Sequence, residues 1–411
     1  MKLTVTNQRG RKGAMAAFFS GGIQIATQLD ANGQTFREAF PAEWAYIALQ
    51  TIRSPNGTEI YSIVNTSDAD VREVLDVMIP FKGCRSDVTW PPQLDPVTDI
   101  QAMTSSATQR LVFGNEPPSH IPTVWADGAA YATEAKTWYD ALSTANQAIA
   151  WEQTGKPEVI RYSLTGATGI AKHQDCLDEL STKVKAGDLP ARIATTHKLN
   201  DGYITDRTTF YQEMVSDYKT YFGNDVKLLF HEYKLKSSLV DNLEQLQLVM
   251  EFWLVMARLK FQEGDTIEGG CFQQLAGVGT TNIFGMDNTL ALGGIWRLNM
   301  MYYLFNIARP MYEQPYIYTE QTGRPTNVQA EMFGTDKKRW TFFNNFGNRQ
   351  ELSTDGQKLT YIDSGLTVKT KQWDGFMPAN SVGVVEGNIV PRQRSRFFYF
   401  LRNLMSSWLT F

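Results

Sequence analysis

The sequence predicts an α/β fold. A (β/α)8 TIM barrel spans residues 10–312, and a C-terminal antiparallel β-sandwich domain spans 313–411, joined by an N-terminal strand from residues 1–9. Three observations carry this. From about residue 15 to 310, short apolar runs alternate with amphipathic stretches, the pattern of βα units on a parallel sheet. Eight strand slots fall in that span, as a barrel of about 250 residues or more requires. Beyond about 314 the runs turn short, aromatic and β-branched, with Gly, Asn and Asp between them, as in an antiparallel sandwich.

The elements follow in order. "AMAAFFSGGI" (14–23) reads as a first strand ending on glycines, and "AEWAYIALQTI" (42–52) has helical spacing. "TEIYSIVNT" (58–66) reads as the second strand. "DADVREVLDVMI" (68–79) reads as a helix that opens on Asp. The stretch 80–94 hides a third strand, and "DPVTDIQAM" (95–103) is a helix. "QRLVFGNE" (109–116) is the fourth strand, followed by a long helix over 127–149. A fifth strand is expected at 156–166 and a helix at 171–187 that glycine closes. Strand 191–199 and helix 206–223 make the sixth unit, strand 225–235 and helix 238–260 the seventh, and 265–277 is the eighth strand. Sandwich strands are expected in "PYIYTEQT", "RWTFFNNF", "KLTYIDSG", "LTVKTKQW", "SVGVVEGNIV" and "RFFYFLRN", with "KLTVT" (2–6) added from the other end.

Composition removes several function classes. A net charge of -4 lacks the basic field that a general nucleic-acid binder needs. The cysteines, Cys84, Cys176 and Cys271, are odd in number, far apart and without C-x-x-C spacing, so neither a disulfide framework nor a metal site is expected. The four histidines show no ligand spacing, and no cofactor is implied. The most apolar stretch, "LQLVMEFWLVMARLKF" (246–261), carries Glu251, Arg258 and Lys260 and reads as a buried helix, not a membrane span. The N-terminus has its charges in the middle and a short apolar run, unlike a signal peptide. The chain is therefore expected to be cytoplasmic, or exported or assembled by a non-classical route, for example in a virion.

In such a barrel the chemistry sits at the C-terminal ends of strands. Two carboxylates fall there: Glu116 ends the fourth strand in "RLVFGNE", and Glu232 lies near the end of the seventh in "VKLLFHEY". Strands four and seven lie across the barrel mouth from one another. Two facing carboxylates, one protonated and one ionised, are what glycoside hydrolysis needs. The plainer readings are a turn acid before Pro117 and Pro118, and a surface acid beside Lys234.

"GNEP" after a strand, with a carboxylate three strands later in "FHEY", resembles the clan of retaining (β/α)8 glycoside hydrolases. The C-terminal sandwich is similar to the arabinofuranosidase, xylosidase and β-glucuronidase/heparanase-like branches. The resemblance implies that Glu116 is the general acid/base and Glu232 the nucleophile of a double displacement on a polysaccharide or oligosaccharide. It implies that Asn115 holds the sugar 2-hydroxyl and that His197, ending strand six, stands near the nucleophile. Tyr233 and His231 flank Glu232; strand alternation makes them supports more than substrate contacts, though Tyr233 is kept as a candidate for substrate binding. Trp125 and Trp90 are candidate sugar platforms. The sequence departs from the clan in strand one, which lacks an Arg-containing signature. It departs again in strand eight, which offers Phe272, Gln273 and Gln274 where a Trp is usual. Glu268 on that strand is a rival carboxylate placed before two glycines.

Two alternatives remain open. The first is a non-catalytic glycan-binding or structural protein of a virion or surface on the same scaffold. Its aromatic tail "RSRFFYFLRNLMSSWLTF" (394–411) would then engage an assembly partner. The second is a Schiff-base enzyme using Lys198 or Lys234. "EGG" at 268–270 is too slight a signal for a phosphate loop.

Overall fold

The computed structural model describes residues 1–23, 29–46, 52–54, 75–79, 108–113, 117–155, 166–197, 207–233, 242–278, 283–286 and 294–388. The expected strand at 58–66, the stretch 80–94, the helix at 95–103 and the tail at 394–411 lie outside the described residues. So do Cys84, Trp90, Asn115, Glu116, Lys198 and Lys234.

After β1 (Lys2–Arg9), eight parallel strands form the centre. They are β2 (Ser20–Ile23), β3 (Ile52–Ser54), β4 (Leu75–Ile79), β5 (Thr108–Phe113), β6 (Ala150–Gly155), β7 (Arg192–His197), β8 (Lys227–Tyr233) and β9 (Ile267–Val278). Each pairs in parallel with the next, and β9 pairs with both β8 and β2, so the pairings return to the first strand. Two short strands, β10 (Phe284–Met286) and β11 (Trp296–Leu298), extend this ladder from the far end of β9.

Helices α1 (Phe36–Ala39) and α2 (Pro41–Tyr46) follow β2, and α3 (Gly128–Ala141) and α4 (Thr144–Gln147) follow β5. Next come α5 (Gly166–Lys185), α6 (Arg207–Phe222), α7 (Asn242–Glu263) and α8 (Met300–Glu313), after β6, β7, β8 and β11. Local chemistry explains several of their ends. Thr35 and Glu38 form a reciprocal capping box on α1. The Asp127 side chain accepts from Ala130 N–H to start α3, and Ser143 does the same for α4, which splits the single helix expected over 127–149. Gly187 and Gly223, both at positive φ, close α5 and α6 as their sequence positions predict.

The described residues revise the strand assignments. Among the described residues the second parallel strand is Ile52–Ser54; the strand expected at 58–66 falls outside them. Leu75–Ile79 is a strand between β3 and β5, not the end of a helix: this apolar run is compatible with either period, and pairing on both sides decides it. The fifth parallel strand in the described residues is Ala150–Gly155, and 156–165 of the expected strand falls outside them; the buried Glu152 hides this strand behind a polar letter. None of these shifts the count, so β5 and β8 remain fourth and seventh.

Antiparallel strands follow: β12 (Tyr316–Thr322), β13 (Val328–Gly334), β14 (Lys338–Asn345), β15 (Gln350–Glu351), β16 (Lys358–Ile362), β17 (Val368–Gln372), β18 (Phe376–Met377) and β19 (Ser381–Asn388). Seven strands make one sheet in the order β1-β12-β13-β14-β19-β16-β17, and β15 and β18 pair separately. β13 was not anticipated. The large sheet is apolar on both faces. Phe333, Phe342 and Val384 join the main core with the helices, while Val328, Met332, Phe343 and Val385 pack with Leu352 and Met377 on the other side.

Helix α7 is buried on nearly every side because it lies between the parallel strands and this sheet. Its charged residues are matched there. Arg258 meets Glu331 of β13 at 2.7 Å, Glu251 accepts from Gln329 at 2.8 Å, and the Lys260 ammonium donates to the carbonyls of Ile267 and Glu268. No helix among the described residues is long and apolar enough to cross a membrane.

Candidate active site

Alternation along the parallel strands sorts their side chains. Val112, Trp151, Ala194 and Leu229 form a small core of their own on one face of the parallel strands. The intervening Leu111, Ala150, Ile193, Leu228 and Phe230 belong to the core beneath the helices. Arg110 sits below Val112, its guanidinium 5.8 Å from the Trp151 ring centre and 3.5 Å from Glu268. Glu268 is the second residue of β9. It lies at the entry end of the strands, on the side away from their C-terminal ends, so the structure removes it as a rival catalytic acid.

The C-terminal ends of β7 and β8 carry His197 and Glu232, while Asn115 and Glu116 lie outside the described residues. Asn115 and Glu116 follow Phe113, the last residue of β5, by two and three positions. Glu232 is the penultimate residue of β8, and the parallel register pairs it with His197 at the end of β7.

The end of β8 is irregular in a useful way. Phe230 pairs with Gly270 but Tyr233 with Phe272, so three steps along β8 match two along β9. This bulge resets the alternation. Phe230 and Tyr233, an odd number of residues apart, both pack against Phe252 of α7, at ring-centre distances of 5.5 and 4.5 Å. Gly270 makes this possible, because a Cβ there would stand 3.1–3.2 Å from Phe18, Phe230 and Tyr233. The glycines of "EGG" therefore include one required by aromatic packing.

Tyr233 is 1% exposed. Its hydroxyl donates to the Phe18 carbonyl and accepts from Trp253 Nε1–H at 3.0 Å, tying the end of β8 to the segment before β2 and to α7. Trp125 is 2% exposed, edge-on to Tyr131, and its Nε1–H donates to Glu134 at 2.5 Å. Neither ring has a face open to a sugar, which corrects their assignment as substrate contacts. Both are packing residues, and Tyr233 anchors the strand that carries Glu232.

Sequence reasoning missed the rim at this end. The Asp30 carboxylate accepts from Asn32 N–H at 2.8 Å and Gln34 N–H at 3.0 Å, shaping the loop after β2. Burial works to raise its pKa, but these backbone donors hold it below the ordinary carboxylate range. Trp296 of β11 then donates to the Gln34 carbonyl at 3.0 Å, locking that loop to the strand extension. The run "DANGQ" is a turn signal that could have marked it. Among the described residues no cluster of His, Cys, Asp or Glu could hold a metal.

No family model and no curated protein matches this sequence. Solved structures do match. The GH51 arabinofuranosidase from Xanthomonas axonopodis pv. citri is 11% identical, with 94% of this chain and 99% of that one covered and a TM-score of 0.61. A β-porphyranase of glycoside hydrolase family 86 from Bacteroides plebeius is 11% identical over 94% of this chain and 75% of that one, with a TM-score of 0.59. A GH30 endoxylanase from Clostridium papyrosolvens C71 is 10% identical over 94% and 100%, with a TM-score of 0.53. These likenesses show the fold, which is that of the clan-A glycoside hydrolases.

Proposed function

We propose that this chain, which has the clan-A glycosidase fold, is a retaining glycoside hydrolase built on a complete (β/α)8 barrel. The observation that carries the reading is positional. Glu232 stands near the end of the seventh parallel strand, and Glu116 lies three residues past the end of the fourth. Chemistry in such folds occurs at these ends, and two acids placed across the mouth can divide the work.

Glu116 is the general acid/base, donating a proton to the leaving glycosidic oxygen and later activating water. Glu232 is the nucleophile, forming the glycosyl-enzyme intermediate. Asn115 holds the sugar 2-hydroxyl, and His197 orients or polarises the neighbouring Glu232. The substrate is an oligosaccharide or polysaccharide; arabinofuranosides, xylosides and glucuronides head the panel to be screened.

The test uses Glu116→Gln and Glu232→Gln on a panel of 4-nitrophenyl glycosides and natural glycans. An activated aryl leaving group needs little protonation. Glu116→Gln is expected to keep far more of the aryl glycoside rate than of the natural substrate rate, while Glu232→Gln loses both. Equal, small effects of both substitutions would refute the assignment. Sugar binding without turnover in the unmodified protein would favour a glycan-binding role instead.

A further inference from the structure

The two faces of β8 are marked by different neighbours. Leu229 shares a small core with Val112, Trp151 and Ala194 on one face, while Leu228 and Phe230 pack under the helices on the other. Plain alternation from there would return Glu232 to the helix face with Phe230 and send Tyr233 to the opposite face with Leu229. The structure does otherwise. Tyr233 is buried under the helices, its ring stacked on Phe252 of α7 at 4.5 Å and set edge-on to Phe272 of β9 at 5.7 Å.

Strand β9 keeps its alternation here. A Cβ on Gly270 would meet Phe18, Phe230 and Tyr233, and Phe272, two residues on, packs with Tyr233 and with Phe305 of α8, so both positions turn to the helix face. Phe230 pairs with Gly270 and Tyr233 with Phe272, which leaves His231 and Glu232 together opposite the single residue Cys271. Two residues against one is the bulge that re-aims side chains. With Phe230 and Tyr233 both fixed on the helix face, the two positions between them fall together on the other. The Tyr233 hydroxyl, bonded to the Phe18 carbonyl and to Trp253 Nε1–H, holds that register in place.

We infer that the bulge sets His231 beside Glu232 on the face of β8 away from the helices, and that His231 is a further substrate-contacting residue of the proposed site, with Tyr233 as the positioning residue for both. The role given to His231 rests on the glycosidase reading; its placement does not. Alternation alone groups His231 with Tyr233 as supports behind Glu232, and the bulge takes His231 out of that group. An imidazole there offers a donor and an acceptor to the hydroxyls of the sugar that Glu232 attacks.

Thiol labelling of the full chain tests the placement without any substrate. His231→Cys and Glu232→Cys are each treated with iodoacetamide under native conditions, and the alkylated peptides are mapped by mass spectrometry, with the fully buried native Cys176 as the shielded reference. Both new thiols should react at least about a hundredfold faster than Cys176, which must wait for the structure to open. One thiol as protected as Cys176 beside a reactive one is the result of plain alternation and overturns the inference, as does protection of both. Diethyl pyrocarbonate on the unmodified chain, with the buried His173 as reference, repeats the comparison at His231 should a variant fail to fold; equal protection of the two histidines overturns the placement. On any glycan the chain cleaves, His231→Ala should lower kcat/KM about tenfold, as the loss of one hydrogen bond to substrate does, while Tyr233→Phe lowers kcat with KM unchanged. An unaltered kcat/KM in His231→Ala overturns its role as a contact. Reactive thiols at both positions in a protein that turns over no glycan would refute the glycosidase reading, and that role with it, while the placement stands.

Discussion

Replacing Glu152 by Met should stabilise the protein, by an amount that grows with pH. Glu152 sits in the middle of β6 with 0% exposure, and neither carboxyl oxygen has a hydrogen-bond partner among the described residues. Burial raises its pKa well above the ordinary 4.5, and the opposing pull of its own backbone N–H and of Arg192 does not offset this. The folded protein therefore holds a proton that the unfolded chain releases above pH 4.5. Stability from this group is fully present below that pH. It falls as pH rises toward the folded pKa, by about 1.4 kcal/mol per unit, and is flat beyond it. At the acid end the neutral carboxyl still lacks a partner, which costs about 1–3 kcal/mol. Met fills a similar length, with a repacking cost under about 1.5 kcal/mol. Urea unfolding of wild type, Glu152→Met and Glu152→Gln between about pH 5 and pH 8 measures the difference, provided the m-values agree. The gap between wild type and the Met variant should widen with pH. The Gln variant should lose the pH dependence but keep much of the burial cost. Curves that stay parallel from pH 5 to pH 8, or a Met variant less stable throughout, would refute the reasoning.

Tyr233→Phe should cost about 1–3 kcal/mol, because the Phe18 carbonyl and Trp253 N–H lose their partner, while KM for any substrate stays unchanged; chemical denaturation and steady-state kinetics check both halves. Arg258→Met should destabilise by about 3–5 kcal/mol by leaving the buried Glu331 carboxylate without its counter-ion, held only by Tyr316 and Gln321, and the double variant Arg258→Met with Glu331→Gln should recover part of that loss in the same melts. Gly128→Ala should lower the melting temperature, since its Cβ would fall 2.6 Å from the Asp175 carbonyl and no flexible side chain is there to yield.

Much of the fold is legible in local pattern. The strand-and-helix alternation from 191 onward matches β7, α6, β8, α7 and β9 closely, because those strands are long apolar runs and their helices end on glycine or carry clear periodicity. The position of Glu232 could be read for the same reason. Strands two, three and five resisted reading. Ile52–Ser54 is too short to show a period, Leu75–Ile79 fits a helix equally well, and "AWEQTG" buries a glutamate that sequence logic places outside.

By itself, then, the sequence determined the order of the later elements, the ends of their helices and the placing of Glu232 near the end of the seventh parallel strand. These depend on periodicity, turn chemistry and counting, which are local. Tertiary structure alone decided which aromatic rings are walls and which are open. Tyr233 and Trp125 look like sugar contacts in one dimension, and their burial follows from a bulge at the end of β8 and from helices packed over them. It also decided that Glu268 faces the entry end of the strands. Finally, it set Arg11 and Lys260, far apart in the chain, around one hollow.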